Sequence, residues 1–209
     1  MNYVSLGPTC SIAYQLQKLG KKNESLPFDW IRCYPISSVL HLIQNNFSNL
    51  FEGIEYVKDD TKFPFIEDNL AEGESESFDT IEMKDTKIYK NDKLSISFFH
   101  DFKEGIDIKD VIQKYQRRID RFYSVVKNPS VFIRDELNFK VCDIPLYNEL
   151  YDMLKGFNNE NRLVLIINTF KKDFTLDGLN TGIEIYKNAD KISDWQHPEI
   201  TSILKEIVV

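Results

Sequence analysis

A chain of 209 residues, 42% hydrophobic and 28% charged, carries enough apolar surface for one sizeable core. Its formal net charge of -7 argues against general nucleic-acid binding, which needs a basic face to displace counterions. The longest aliphatic run, 163–167, is too short to cross a bilayer, and no charged-then-apolar leader opens the chain. A cytoplasmic protein with one domain over residues 1–209 is therefore expected. Cys10, Cys33 and Cys142 are an odd set without metal-ligand spacing, which fits a reduced compartment and calls for neither metal nor cofactor.

The first strand, with Tyr3, Val4 and Leu6, runs into the turn Gly7-Pro8-Thr9 and an amphipathic helix opening at Cys10. Gly7 permits a tight turn, Pro8 stops strand pairing and Thr9 suits a cap. A thiol in the first turn of a helix meets the positive end of the macrodipole, so a more acidic Cys10 is expected. Ile12, Leu16 and Leu19 draw the apolar face, and Gly20 ends the helix. The turn Pro27-Phe28-Asp29-Trp30 follows, then a helix from about Ile36 with Val39, Leu40, Ile43 and Phe47 inward. Residues 52–92 read as an irregular acidic insertion with short strands near 54–57 and 86–89 and the polar run 72–77.

Beyond it the pattern predicts a strand over 94–99 ending at His100-Asp101, then a long helix over 108–127. Next come a strand at 131–133 closed by Arg134-Asp135-Glu136, a helix over 145–154, a buried strand at 163–167, a strand at 183–186 and a last helix from Pro198. Strands alternating with amphipathic helices point to an α/β fold, a layered sandwich with a mainly parallel central sheet flanked by helices. In such sheets ligands collect outside the carboxyl ends of the strands. There the sequence places Gly7 to Cys10, His100-Asp101, Arg134-Asp135-Glu136 and Asn168-Thr169.

A nucleophilic Cys10 needs a base within reach and a third group to orient that base. His100, at a predicted strand end, is the candidate base. His41 reads as a helix-surface residue and His197, before Pro198, as a loop residue. Asp101 is adjacent to His100, but successive strand side chains diverge, so Asp135 and Asn168 stay open as orienters. Arg117, Arg118 and Arg121 share a helix, where ion pairing with nearby acids competes with a phosphate-holding role. Asp29 between two aromatics reads as a loop lock that also shapes the cleft wall. The candidate binding residues are Gly7, Thr9, Asp29, Trp30 and Arg134.

The combination Ser5-Leu6-Gly7-Pro8-Thr9-Cys10, Pro27-Phe28-Asp29-Trp30, Phe99-His100-Asp101-Phe102 and Arg117-Arg118-Ile119-Asp120-Arg121-Phe122 resembles a family of unknown function described as papain-like cysteine peptidases. The resemblance implies Cys10 as nucleophile and His100 as base, with Asp101 as a third member or Asp135 or Asn168 in its place, acting on a peptide or small-molecule substrate. A phosphate- or nucleotide-sugar-binding module is the competing reading, since a glycine turn before a helix also suits anions. That turn lacks a P-loop lysine and spaced glycines. A non-catalytic interaction protein is the third.

Overall fold

In the computed structural model, residues 1–59, 62–64, 80–82, 86–170, 173–193 and 196–208 are described. Much of the acidic insertion, including the run 72–77, lies outside these residues. The chain order is β1 (Asn2–Ser5), α1 (Ser11–Lys18), β2 (Ile31–Cys33), α2 (Ile36–Gln44), β3 (Glu55–Asp59), β4 (Lys62–Pro64), β5 (Thr80–Glu82), β6 (Thr86–Asn91), β7 (Ile96–Lys103), α3 (Ile108–Val125), β8 (Ser130–Glu136), α4 (Ile144–Phe157), β9 (Arg162–Asn168), β10 (Glu184–Asn188) and α5 (Thr201–Ile207).

The expected mainly parallel sheet is half of what forms. A four-stranded parallel sheet runs β1-β8-β9-β10, and a second four-stranded sheet, β2-β7-β6-β3, is antiparallel; β4 and β5 pair as a separate ribbon. The cause lies in the connection between β6 and β7. It is a single 3-10 turn, Asp92–Leu94, closed by Ser95 in the left-handed region at φ 48°. Parallel neighbours need a crossover of a dozen or more residues, so a link this short forces a hairpin. Asn91 fixes the turn: its Oδ1 accepts from the Leu94 amide at 3.2 Å.

The parallel sheet is apolar on both faces, as its continuous runs demand. Side chains alternate along each strand, and the alternation splits the core. Tyr3, Val131, Ile133, Val164 and Ile166 pack with Ile12 and Leu16 of α1 and Leu204 and Ile207 of α5. Val4, Phe132, Leu163, Leu165 and Ile167 face the larger core shared with α2, α3, α4 and the antiparallel sheet. The same period sets the polar end of β8. Asp135 follows Val131 and Ile133 onto the face of α1 and α5, whereas Arg134 and Glu136 follow Phe132 onto the opposite face.

Strand β7 also departs from expectation, running through His100 and Asp101 instead of ending before them. Opposite it, Tyr89 pairs with Phe98 and Lys87 with Phe102, so residues 99–101 of β7 face only Ile88 of β6. This bulge interrupts the alternation, a device that re-aims side chains. Here it leaves His100 exposed and turns Asp101 inward, 2% exposed. No helix among the described residues is long and apolar enough to cross a membrane.

Candidate active site at the end of the parallel sheet

The loop after β1 is shaped by a cis Gly7–Pro8 peptide and by Gly7 at φ 83°, a left-handed conformation that side chains disfavour. The Leu6 amide donates to Ile133 O at 2.9 Å and the Asp135 amide to Gly7 O at 3.3 Å, so the loop extends the β1–β8 ladder. Cys10 occupies the cap position of α1 and its carbonyl accepts from the Tyr14 amide at 2.9 Å. Thr9 supplies the side-chain oxygen for this helix start: Oγ1 accepts from the Ser11 amide at 3.3 Å and lies 3.0 Å from Ser11 Oγ.

Cys10 is half-buried, and the expected acidification does not occur. Burial is the strongest influence on the thiol and pushes its pKa up to about 11, against the opposing pull of the Arg32 guanidinium and a backbone hydrogen bond. A helix terminus contributes only partial charges, so withdrawal of water outweighs it. Cys33, fully buried, is pushed up to about 12, with burial again the main cause. Cys142 is exposed and within 3.8 Å of Asp143 Oδ1.

Beside α1 stands a pairing that the sequence did not suggest. His197 is buried, with Nδ1 2.5 Å from Asp135 Oδ2 and Nε2 3.2 Å from Asn188 Nδ2. The Asn188 amide is oriented by Asp190: its Nδ2 donates to Asp190 O at 3.0 Å and its Oδ1 accepts from the Asp190 amide at 3.4 Å. Asn188 therefore presents an N–H to His197, which makes Nε2 the acceptor and Nδ1–H the donor to Asp135. That is the neutral tautomer of a base. Ser11, next to Cys10, also donates from Oγ to Asp135 Oδ2, at 3.5 Å. Asp135 Oδ1 is buried and has no hydrogen-bond partner among the described residues. Farther along the same rim, Gln15 Nε2 of α1 donates to Gln196 O at 2.8 Å, tying the helix of Cys10 to the residue before His197.

The other sequence candidates divide between the two sheets. Asn168 ends β9 opposite Asn188 and accepts from the Phe170 amide at 3.0 Å, on the same rim as Asp135. His100 belongs to the antiparallel sheet, edge-on to Trp30 with ring centroids 5.9 Å apart. Its surroundings push its pKa down, chiefly by withdrawing water, with Arg32, Lys103 and Arg118 adding to that and Asp101 opposing it. Asp101 does not orient it. The Asp101 carboxylate accepts from Tyr115 Oη at 2.6 Å and pairs with Lys114 at 2.6 Å and Arg118 at 3.5 Å.

Asp29 is an internal staple: fully buried, it accepts from the Leu26 amide at 2.6 Å and pairs with Lys22 at 3.0 Å. Burial outweighs the Lys22 charge and raises its pKa. Trp30 anchors through Nε1 to Ser25 Oγ at 2.9 Å. Arg134 is also structural. Its guanidinium donates to Glu136, to Leu6 O at 2.7 Å, to Cys33 O at 3.3 Å and to Tyr34 O. These contacts clamp β2 to the loop before Cys10 and leave little to hold a phosphate. The arginine cluster likewise disperses: Arg118 turns inward to Asp101, while Arg121 Nη1 donates to Ser25 O at 2.8 Å.

Among the described residues no group of three or more His, Cys, Asp and Glu side chains could hold a metal ion. His197 and Asn188 were missed because each sits outside an apolar run. Their available signals were position alone: the end of a strand, and the residue before a proline that opens a helix.

Comparison with known proteins adds a family. A family model described as "Putative papain-like cysteine peptidase (DUF1796)" matches residues 1–169. That span contains Cys10, His100 and Asp135 and stops short of His197. "Uncharacterized protein R408" of Acanthamoeba polyphaga mimivirus is 34% identical, over 99% of this chain and 96% of that relative. No solved structure matches the chain.

Proposed function

Since the chain belongs to this papain-like cysteine peptidase family, we propose that it is a thiol-dependent hydrolase or acyltransferase with Cys10 as nucleophile, His197 as base and Asp135 as the group that orients the base. The observation that supports this reading most directly is the sharing of Asp135 Oδ2 by His197 Nδ1 and by Ser11 Oγ beside Cys10. It joins an oriented imidazole to the helix start that carries the thiol.

With a thiol pKa of about 11, roughly one sulfur in ten thousand is ionised at pH 7, so Cys10 needs a base in the reacting complex. His197 Nε2 takes the S–H proton, replacing its contact with Asn188, as sulfur bonds to the acyl carbon. Asp135 stabilises the imidazolium. The leaving amine or alcohol departs with the proton from Nε2, and water or a second nucleophile then cleaves the thioester. Backbone N–H groups at the start of α1 face the developing oxyanion.

The test is the rate of Cys10 modification by iodoacetamide, read by peptide mass, in the wild-type chain and in His197→Gln and His100→Gln variants. A loss confined to His197→Gln is expected. A loss confined to His100→Gln transfers the base to the antiparallel sheet, and insensitivity to both ends the thiol-catalysis reading.

A further inference from the structure

Helix α1 carries more than the thiol. Ser11 and Gln15 stand one turn apart on the same face of it, and both are buried. Ser11 Oγ donates to Asp135 Oδ2 at 3.5 Å. Gln15 Nε2 donates to Gln196 O at 2.8 Å, and its Oε1 accepts from Thr201 Oγ1 at 3.3 Å. A backbone carbonyl only accepts, so the Gln15 amide has one orientation here. Its two contacts fall on either side of His197 in the chain. Apolar packing backs them: Ile12 and Leu16 share a core cluster with Ile200 and Leu204.

His197 needs such a tether. Its backbone is in the left-handed region at φ 49° and ψ 60°, which a side chain disfavours, so surrounding contacts have to hold it there. The Gln196 carbonyl lies in one planar peptide unit with the His197 nitrogen and Cα. Fixing that oxygen therefore fixes the plane from which the His197 side chain springs. On the other side the Ile200 amide donates to His197 O at 3.3 Å. Asp135 and Asn188 then set the rotation of the ring.

We propose that Gln15 is a positioning residue: by holding Gln196 O it sets where the His197 imidazole stands relative to the start of α1, and so relative to Cys10. This rests on the thiol-catalysis reading. Nucleophile and tether then belong to one helix, so the base is registered against the thiol by α1 itself and not by the loop that carries it. The role is specific to an amide of this length, which donates to one backbone segment and accepts from the other; methionine fills a similar space and does neither. A displacement of about 1 Å between reacting groups costs up to about 10²-fold in rate, so a lost tether is measurable without any loss of fold.

The test is a double-mutant cycle on Cys10 alkylation by iodoacetamide at pH 7, using wild type, Gln15→Met, His197→Gln and the double variant. Gln15→Met should slow the reaction by about tenfold while His197 is present and leave it unchanged once residue 197 is glutamine. Equal slowing in both backgrounds, or none in either, overturns the proposal, because a merely structural role does not depend on the base. Should Gln15→Met fail to fold by far-ultraviolet circular dichroism, Gln15→Asn, one methylene too short for both contacts, takes its place with the same expected outcome. If His197→Gln alone leaves the rate unchanged, the thiol-catalysis reading fails and the tether is judged by nitrogen NMR of the His197 ring. Loss in Gln15→Met of the separate Nδ1 and Nε2 signals of a single tautomer supports the tether; unchanged ring signals overturn it.

Discussion

His197 Nδ1 lies 2.5 Å from Asp135 Oδ2, joining the residue before the last helical segment to the penultimate residue of β8. Both groups are buried, and Asn188 holds the opposite ring nitrogen as an acceptor. An imidazole gripped from both sides has one tautomer and one orientation.

Replacing Asp135 with asparagine keeps the shape and changes the tautomer. An amide N–H facing Nδ1 leaves the proton on Nε2, where it cannot accept from a thiol. Asp135→Asn should therefore slow Cys10 alkylation by roughly 10²-fold or more while the far-ultraviolet circular dichroism stays unchanged. A rate equal to wild type would show that the pair serves only to hold the carboxyl-terminal loop.

The raised thiol pKa gives a pH signature. Without a base, alkylation of Cys10 follows its ionisation, rising about tenfold per pH unit toward a midpoint of about 11. His197→Ala should show this simple rise. The wild-type chain should exceed it most at neutral pH, where the free thiolate is scarce. Parallel profiles for the two proteins would remove His197 from the reaction.

Arg134 and Glu136 support the fold on the side of β8 away from Asp135. Glu136→Ala leaves the guanidinium with backbone carbonyls as its acceptors and no counter-charge, which should cost roughly 3–5 kcal/mol in chemical denaturation. Arg134→Lys should also destabilise, because an ammonium cannot reach Leu6, Cys33 and Tyr34 at once. Both variants test the clamp between β2 and the Cys10 loop.

Tyr115→Phe removes the hydroxyl donor to Asp101 while Lys114 remains. The expected loss is about 1–3 kcal/mol of stability, with Cys10 reactivity unaltered. A matching loss of Cys10 reactivity would connect Asp101 to the site.

Sequence periodicity located the helices and the strands of the parallel sheet because their apolar residues recur at 3.6 or run continuously. It misjudged β7. A strand followed by an amphipathic helix looks alike in either sheet, and the deciding feature was the tight link at 92–95. Once β7 left the parallel sheet, His100 left the shared rim with it. The strand-end positions of Cys10, Asp135 and Asn168 were legible since each directly follows or ends an apolar strand. His197 was not: a buried polar residue at φ 49° in a loop has no periodic context, and only its partners reveal it. The acidity of Cys10 was misread because helix position is visible in sequence and burial is not.

The most direct measurement is the iodoacetamide rate at Cys10, resolved by peptide mass, across the wild-type chain and its His197→Gln and His100→Gln variants at pH 7. A fall of roughly 10²-fold in His197→Gln, with His100→Gln near wild type, is the expected result. Equal rates in all three would contradict the assignment of an oriented base to this thiol.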